Sequence, residues 1–303
     1  AQDFMVFHTA GRLWLDGEFP LISDITAFTA RIQSQYGAWF AKPIDPHPWV
    51  YPPLFLLLAI PLGTLPFTLA LALPRADEVF LEGFARGLFA LAEAQGIELV
   101  GGDTTQGPLN LCITVMGEVP EGGALLRSGA RPGDDLYVSG RVGDARLALE
   151  MFRGTVNLPG DAFEAVREAM EQPQPRVALG QALRGVASSA IDVSDGLLGD
   201  LGHILRRSGV AAEVSVDAVP RSAVLAAQPL ALQRECTLAG GDDYELLFSA
   251  PAERAPQVQA AAQAAGTAVT RIGRIEAGQG LRLVDAEGRT VAHTFGSFDH
   301  FRS

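Results

Sequence analysis

Cysteine is scarce in this chain. Its 303 residues include two cysteines, Cys112 and Cys236, and neither lies in a Cys-x-x-Cys or Cys/His pattern. Small secreted scaffolds need several paired cysteines, and structural zinc sites need clustered thiolates and imidazoles, so both classes are excluded. The sequence also lacks a signal-peptide pattern at its beginning, and we therefore expect a reducing, cytoplasmic location.

Positive charge is also in short supply. The chain has 23 Lys and Arg residues against 35 Asp and Glu residues, which gives a net charge of -12. Its basic residues are scattered, whereas nucleic-acid binding needs a basic face for the phosphate backbone, so we expect no nucleic-acid partner. An acidic protein can still bind an anionic substrate when metal ions bridge the two, and magnesium–phosphate chemistry stays open.

Charge of either sign is absent from residues 49–73. A run of that length can span a bilayer, although four prolines, which remove helical hydrogen bonds, interrupt it. Two interpretations stay open for this run: a membrane-type segment and a buried stretch of a soluble domain. We expect no membrane contact elsewhere in the chain.

The sequence after Pro74 alternates helical and strand patterns. Residues 76–95 have apolar side chains at helical spacing, acidic residues at the start and a glycine at the end, which predicts a helix. Further strands are expected in "IELV", "LNLCITVMGEV", "DDLYVSG", "AEVSVDAV", "YELLFSAP" and "TAVTRIGRI". Because strands and helices mix and several strands neighbour one another as hairpins, we predict an α/β fold with mixed, α+β-like sheets rather than a doubly wound dinucleotide-binding fold.

Several common catalytic signatures are missing: a P-loop, a Gly-x-Gly-x-x-Gly turn after a strand, and a Ser/His/Asp set. Three acidic motifs of one design are present, each with a strand end, small residues and carboxylates: "GGDT" (101–104), "DVSDG" (192–196) and "GGDDYE" (240–245). Glycine lets the backbone approach a ligand closely, and clustered carboxylates are ligands that Mg²⁺ prefers. Phosphoryl transfer needs mainly positioning and cations that neutralise charge, so the three motifs predict that chemistry.

Each motif also has a purely structural interpretation. Asp192 or Ser194 could cap the helix that begins near Asp195, and the two glycine-led motifs could be ordinary acidic turns or loops. Capping and metal binding are compatible, and the repetition of the design favours a site. His203 and His300 are interpreted as packing or surface residues.

The motifs, in this order, resemble the thiamine-monophosphate kinase family of the aminoimidazole-ribonucleotide-synthetase-like superfamily. The resemblance covers residues 66–303 and rests on "RSGARPGDDLYVSG", "PQPR", "AIDVSDGLLGDLGHI", "AGGDDYELLF" and "SFDHF". It implies a two-domain synthetase-like kinase fold, a homodimer, and ATP-dependent transfer of a phosphoryl group to thiamine monophosphate, which gives thiamine diphosphate. Family chemistry is direct transfer without a phospho-enzyme, so no catalytic nucleophile is expected.

The same resemblance implies roles for individual residues. It assigns three carboxylates as Mg²⁺ ligands: Asp103, Asp192 and Asp195. It assigns four residues to ATP: Gly102, Asp103, Arg127 and Ser194. Two residues would contact the thiamine substrate, namely Asp242, at a position where the family often has glutamate, and Phe298, whose ring would pack on the substrate.

The beginning of the chain departs from this pattern. Members of the family open with a "GDDAA"-like metal motif, a Thr-Asp pair, a substrate-contacting histidine and an "NxSDLAAMGA"-like helix, and none of these occurs here. Residues 1–65 instead resemble a loop and membrane entry of polyprenol-phosphate-sugar glycosyltransferases. We therefore predict a foreign segment over residues 1–65, the remnant of an N-terminal ATP- and Mg²⁺-binding domain over 66–135, and a C-terminal α/β domain over 136–303.

Three functions follow as alternatives. The first is an active thiamine-monophosphate kinase, and the second is a nucleotide-binding chimera that is catalytically impaired because the N-terminal motifs are missing. The third is a fragment of a membrane glycosyltransferase, which depends on residues 1–65 alone.

Overall fold

The computed structural model describes residues 26, 27, 30, 31, 34, 65–292, 295 and 296. The chain divides into two compact units, Ala1–Glu118 and Val119–Ser303, which are described separately as the first and the second unit. The predictions for nearly all of residues 1–64, and the role of Phe298, lie outside the described residues.

The first unit contains a three-stranded sheet and one long helix. The chain runs through β1 (Leu65–Leu73), α1 (Glu78–Gln95), β2 (Ile97–Gln106) and β3 (Asn110–Val115). The strand order is β2-β1-β3, with β2 parallel and β3 antiparallel to β1. The last nine residues of the uncharged run therefore form a central strand. Within the described part of the chain, no helix is long and apolar enough to cross a membrane.

The boundaries of α1 confirm the helix predicted over residues 76–95. The carboxylate of Asp77 accepts a hydrogen bond from the Phe80 amide at 3.1 Å, which caps the first turn. Gly96 ends the helix in the left-handed conformation, with φ 64°, where a side chain would be strained.

The "GGDT" motif, predicted at a strand end with an ordinary turn as the alternative, lies within a strand. Residues 101–104 lie inside β2, where Gly101 pairs with Thr68 and Thr104 pairs with Leu71 of β1. Gly102 is required by this pairing, because a Cβ there would lie 2.0 Å from the Leu69 carbonyl oxygen. The glycine serves a close approach between two strands of the protein's own sheet.

The second unit is a six-stranded sheet with helices. Its elements are β4 (Asp134–Ser139), α2 (Asp144–Phe152), α3 (Gly160–Glu171), α4 (Val177–Ala182), β5 (Ser189–Asp192), α5 (Leu197–Ser208), β6 (Ala211–Ser215), α6 (Ala223–Ala226), α7 (Leu230–Ala239), β7 (Leu246–Pro251), α8 (Ala255–Ala264), β8 (Val269–Glu276) and β9 (Gly280–Val284). The strand order is β5-β7-β4-β8-β6-β9. All neighbouring pairs are antiparallel except β6 and β9, which are parallel. This sheet confirms the predicted α/β fold with mixed sheets, while α3, α6 and α7 were not anticipated. The predicted domain limit between residues 135 and 136 falls inside β4.

Helices pack on both faces of this sheet. On β4, the side chains of Leu136 and Val138 join a cluster with Leu201 of α5. The intervening Tyr137 points to the other face, where it joins a cluster with Leu179 of α4 and Val258 of α8. Apolar side chains at odd and even positions are therefore both buried, as expected for a strand with helices on both sides.

Candidate functional site

The second and third acidic motifs meet at one edge of the second unit. Strands β5 and β7 are antiparallel, with Asp192 paired to Leu246, so the end of β5 lies beside the start of β7. Backbone hydrogen bonds continue the pairing beyond the strands: the Val193 amide donates to Glu245, and the Tyr244 amide donates to Val193. The segment that follows β5 and the segment that precedes β7 are thereby fixed to each other.

Glycines permit this close approach. The Asp242 amide donates to the Ser194 carbonyl at 2.9 Å, and a Cβ on Gly241 would lie 2.3 Å from that same carbonyl oxygen. Gly196 has φ 115°, and its missing Cβ leaves room for the Ala239 backbone. The glycines of both motifs therefore bring two parts of the chain into contact with each other.

The amides at the end of β5 are held by Asp200. Its Oδ2 accepts hydrogen bonds from the Ser194 amide at 3.0 Å and from the Asp195 amide at 3.1 Å. Burial raises the pKa of Asp200, against the effect of these two bonds, and the charge of Asp195 raises it further. The cap predicted from Asp192 or Ser194 is wrong: Gly196 occupies the N-cap position of α5, and no side chain caps the helix from there.

Two residues of the third motif point inward, and Asp243 is the first. Its Oδ1 accepts a hydrogen bond from the Gly143 amide, at the start of α2, at 2.8 Å. Its Oδ2 is buried without a hydrogen-bond partner in the described structure. Burial raises the pKa of Asp243 well above its usual value, and the neighbouring charges of Asp144 and Glu245 act in the same direction.

Glu245 is the second inward residue and is bound by two side chains. Arg176, the arginine of "PQPR", donates from Nε to Oε2 at 2.7 Å and from Nη2 to Oε1 at 2.5 Å. Ser139, at the end of β4, donates from Oγ to Oε2 at 2.5 Å. The Glu245 side chain is 6% exposed, so this is a buried ion pair with a two-pronged guanidinium contact.

The alternate residues, Asp242 and Tyr244, are exposed. Both have positive φ, 63° and 51°, which residues other than glycine rarely adopt. The Tyr244 hydroxyl donates to Asp242 Oδ1 at 3.3 Å. Burial raises the pKa of this hydroxyl, and the charges of Asp242, Asp192 and Asp195 act in the same direction.

We call the surface formed by Asp192, Ser194, Asp195 and Asp242 the acidic edge. It adjoins an open groove of about 590 Å³ in the second unit. One wall is formed by α5, together with Asp195 before it and Gly209 after it, and the other is formed by residues 279–281. His203 and Arg206 lie in this wall, with the Arg206 guanidinium 3.2 Å from His203 Nδ1. A volume of that size is in the range of small-molecule sites.

The structure brings four of the predicted site residues together: Asp192, Ser194, Asp195 and Asp242. Arg127 is exposed, and its segment is tied to both β5 and α5, because the Ala190 amide donates to Leu126 and the Ser208 hydroxyl donates to the Arg127 carbonyl. The remaining two described residues, Gly102 and Asp103, lie on β2 of the first unit.

The donor set suits Mg²⁺. Among the described residues, no group of three His, Cys, Asp or Glu side chains is close enough to hold one metal ion. Mg²⁺ is usually bound by one or two protein carboxylates and completes its shell with water and substrate phosphates. Asp192, exposed at the end of β5, and the half-buried Asp195, three residues later, match that requirement.

Sequence reasoning missed four side chains that shape this edge: Ser139, Arg176, Asp200 and Asp243. Asp200 lay within the quoted "GLLGDLGHI", and Arg176 lay within "PQPR", but neither motif shows which group its side chain contacts. The alternation of exposed and buried residues over 242–245 could not be read from "DDYE", because the buried residue is the charged Glu245 and the exposed one is the aromatic Tyr244.

Comparisons with known proteins identify the family. The C-terminal domain of the AIR synthase related protein family matches residues 131–286, and its N-terminal domain matches residues 59–119. The thiamine-monophosphate kinase of Salmonella typhimurium is 41% identical over 273 residues, with 88% of this chain and 83% of that protein covered. That share exceeds residues 66–303 alone, so the alignment also includes part of residues 1–65.

Solved structures agree with this assignment. Thiamine-monophosphate kinase from Stenotrophomonas maltophilia superposes with a TM-score of 0.69 at 46% identity, over 75% of this chain and 72% of that one. The structure of AaThiL complexed with AMPPCP and TMP gives a TM-score of 0.66 at 29% identity, over 79% and 74%. Escherichia coli HypE, at 19% identity and a TM-score of 0.62, shows the same fold.

Proposed function

Because the chain belongs to the AIR synthase related family and matches thiamine-monophosphate kinases over most of its length, we propose that it transfers a phosphoryl group from ATP to thiamine monophosphate. The product is thiamine diphosphate. The carrying observation is the edge where backbone hydrogen bonds from Asp242 to Ser194 and from Tyr244 to Val193 join residues 192–195 to the third acidic motif. A relative of the same fold binds AMPPCP, an analogue of ATP, and TMP.

We assign each residue of this edge a separate role. Asp192 and Asp195 would hold Mg²⁺, and the Ser194 hydroxyl would contact ATP. When bound, the metal neutralises negative charge that develops on the transferred group. Asp200 fixes the backbone of Ser194 and Asp195, so their side chains are oriented before the nucleotide arrives.

Several finer assignments belong to the same proposal. Gly102, Asp103 and Arg127 would contact ATP, Asp103 would also bind Mg²⁺, and Phe298 would pack on the thiamine. A cytoplasmic location follows from the type of substrate and the cysteine usage. The predicted domain limits stay predictions.

A homodimer is also part of the proposal, and β3 supports it. Leu111, Ile113 and Val115 occupy alternate positions on this edge strand and are 44%, 47% and 55% exposed. Exposed apolar rows on an edge strand are usually covered by a partner. Sedimentation of Ile113→Lys should shift the chain from dimer to monomer, whereas a wild-type chain that sediments as a monomer would contradict the dimer.

The activity test uses the full chain with Mg²⁺, ATP and thiamine monophosphate, and follows thiamine diphosphate by chromatography. Asp192→Asn and Asp195→Asn should each lower the rate about 100-fold or more, since a misheld metal removes several kcal/mol of stabilisation. Asp161→Asn, an exposed acid in the first turn of α3, is the matched control and should leave the rate unchanged.

The outcomes separate the remaining functions. Product formation that is equal in wild type and Asp192→Asn would overturn the site assignment. Absence of product, with Mg²⁺-ATP binding retained in calorimetry, would leave the impaired nucleotide-binding protein as the function. Absence of both would overturn the proposal as a whole.

A further inference from the structure

The loop Asp242–Glu245 has two faces with different surroundings. The inward residues are fixed by other elements, Asp243 by the Gly143 amide and Glu245 by Arg176. The outward residues, Asp242 and Tyr244, have exposed side chains, and the Tyr244 side chain is large and apolar with 44% of the residue exposed. The fold therefore presents an aromatic ring and a carboxylate together on the acidic edge.

The backbone conformation of this loop is costly and is imposed by its anchors. Asp242 and Tyr244 are the two non-glycine residues with positive φ in the described structure. Such a conformation persists where surrounding contacts over-determine it, and it concentrates at functional sites. Here the amides of both residues donate to the segment after β5, to Ser194 and to Val193. The strained backbone is thus tied to the segment that lies between Asp192 and Asp195.

We propose that Tyr244 is a substrate-binding residue that, together with Asp242, holds the positively charged aromatic ring of the phosphoryl acceptor. This inference rests on the proposed function, because thiamine monophosphate carries a permanent positive charge on its thiazolium ring. An exposed tyrosine ring can bind such a cation over its face, and the Asp242 carboxylate, which accepts the hydrogen bond of the Tyr244 hydroxyl, supplies the opposite charge.

The charges around Tyr244 favour a cationic ring over the neutral adenine of ATP. Three carboxylates, those of Asp192, Asp195 and Asp242, act on the Tyr244 hydroxyl. None of the three forms an ion pair with Arg, Lys or His in the part of the chain that the structure describes. With Mg²⁺ held by Asp192 and Asp195, the Asp242 carboxylate stays uncompensated and attracts a positive ring, whereas adenine gains nothing from it.

The position also suits the chemistry of the acceptor. In thiamine monophosphate an ethyl group joins the thiazolium ring to the phosphate. A ring held by Tyr244 and Asp242 therefore places its phosphate within a short reach of Asp192 and Asp195, the residues proposed to hold Mg²⁺. Specificity for an acceptor with a cationic ring and a nearby phosphate would follow from this spacing.

The test compares Tyr244→Ala and Tyr244→Phe in the full chain. We expect Tyr244→Ala to raise the KM for thiamine monophosphate about 3- to 30-fold, the range of a cation–π contact, and to leave the KM for ATP unchanged. Tyr244→Phe retains the ring and should stay within about 3-fold of wild type. Phe152→Ala, another exposed aromatic residue, which packs edge-on against Phe163, is the matched control.

A purely structural role for Tyr244 would give a different result. It would lower the melting temperature of Tyr244→Ala and raise both KM values or lower kcat alone. An unchanged KM for thiamine monophosphate in Tyr244→Ala, with the melting temperature preserved, would overturn the proposal. So would a loss in Tyr244→Phe as large as that in Tyr244→Ala, because the ring would then contribute nothing.

Failure of the proposed function would be recognised separately. If the wild-type chain forms no thiamine diphosphate, calorimetry with thiamine, the cation without a phosphate, still tests the aromatic contact. Binding by the wild type that weakens about 3- to 30-fold in Tyr244→Ala supports the contact without the reaction. Absence of thiamine binding by an inactive wild type overturns both.

Discussion

The buried ion pair between Arg176 and Glu245 is expected to hold the acidic loop in place, and Arg176→Met tests this. The substitution keeps most of the side-chain length and removes the guanidinium group that contacts both oxygens of Glu245. The Glu245 side chain is 6% exposed, and after the substitution the Ser139 hydroxyl is its remaining side-chain donor in the described structure.

The expected cost is large because a buried charge loses its partner. Removing one member of a buried ion pair costs about 3–5 kcal/mol, mostly through the unpaired charge that remains. Arg176→Met combined with Glu245→Gln removes both charges, and the glutamine can still accept the Ser139 hydroxyl. The double variant should therefore recover part of the loss, with an interaction energy of about 1–3 kcal/mol.

Because the chain has two units, which can unfold in separate steps, one overall unfolding transition does not give the stability of the second unit. Urea unfolding should therefore be followed by hydrogen exchange of peptides from residues 119–303, which contain the ion pair. A cost below about 1 kcal/mol for Arg176→Met would refute the reasoning, since exposed ion pairs contribute that little. Strict additivity of the two single variants would refute it as well.

Three further predictions concern buried groups of the second unit. Burial raises the pKa of Asp243, so the folded state binds the carboxyl proton of this residue more tightly than the unfolded state does. The free energy of unfolding therefore falls as the pH rises above the usual Asp range, by at most about 1.4 kcal/mol per pH unit. The fall ends once the pH exceeds the pKa of Asp243 in the folded state. Asp243→Asn lacks this slope, so its stability relative to wild type should increase with pH in urea titrations, and a pH-independent difference would contradict the argument. Asp200→Ala leaves two loop amides without an acceptor and should lower the free energy of unfolding by about 2–4 kcal/mol. Asp200→Asn keeps an acceptor oxygen and should lower it by less than half of that amount. Equal losses of stability in thermal denaturation would count against the contact. Burial raises the pKa of Cys236 to about 12, so iodoacetamide should alkylate the exposed Cys112 in the native protein and spare Cys236, and mass spectrometry that finds both modified would disprove this.

Helix ends that are determined by residues within the same segment of the chain could be predicted from the sequence. Asp77 and Gly96, the acidic residue and the glycine of the predicted helix, mark both ends of α1, and Gly209 ends α5 in the left-handed conformation. These caps depend on contacts within one or two turns, so neighbouring residues determine them. Several strands of the second unit follow for the same reason from short apolar patterns, whereas its helices α3, α6 and α7 were not anticipated.

Contacts between distant residues explain what could not be predicted. The "GGDT" motif reads locally as a turn, and it becomes a strand because β1 pairs with it in register. Glu245 and Arg176 are 69 positions apart, and neither motif indicates that these two side chains form an ion pair. Asp200 accepts hydrogen bonds from two amides that precede its own helix, and nothing in the local sequence indicates that contact.

The exposed carboxylates of the acidic edge keep their positions because the buried residues of the same loop are anchored. Asp192 and Asp242 are exposed, and their charges would repel one another and loosen a loop that was held only by its own turn. Glu245, one position beyond Tyr244, is instead fixed by Arg176, and the strand-like hydrogen bonds to Val193 and Ser194 resist the repulsion. The protein can therefore present several negative charges in a fixed arrangement before any cation binds, and a preformed arrangement is what metal-assisted phosphoryl transfer requires.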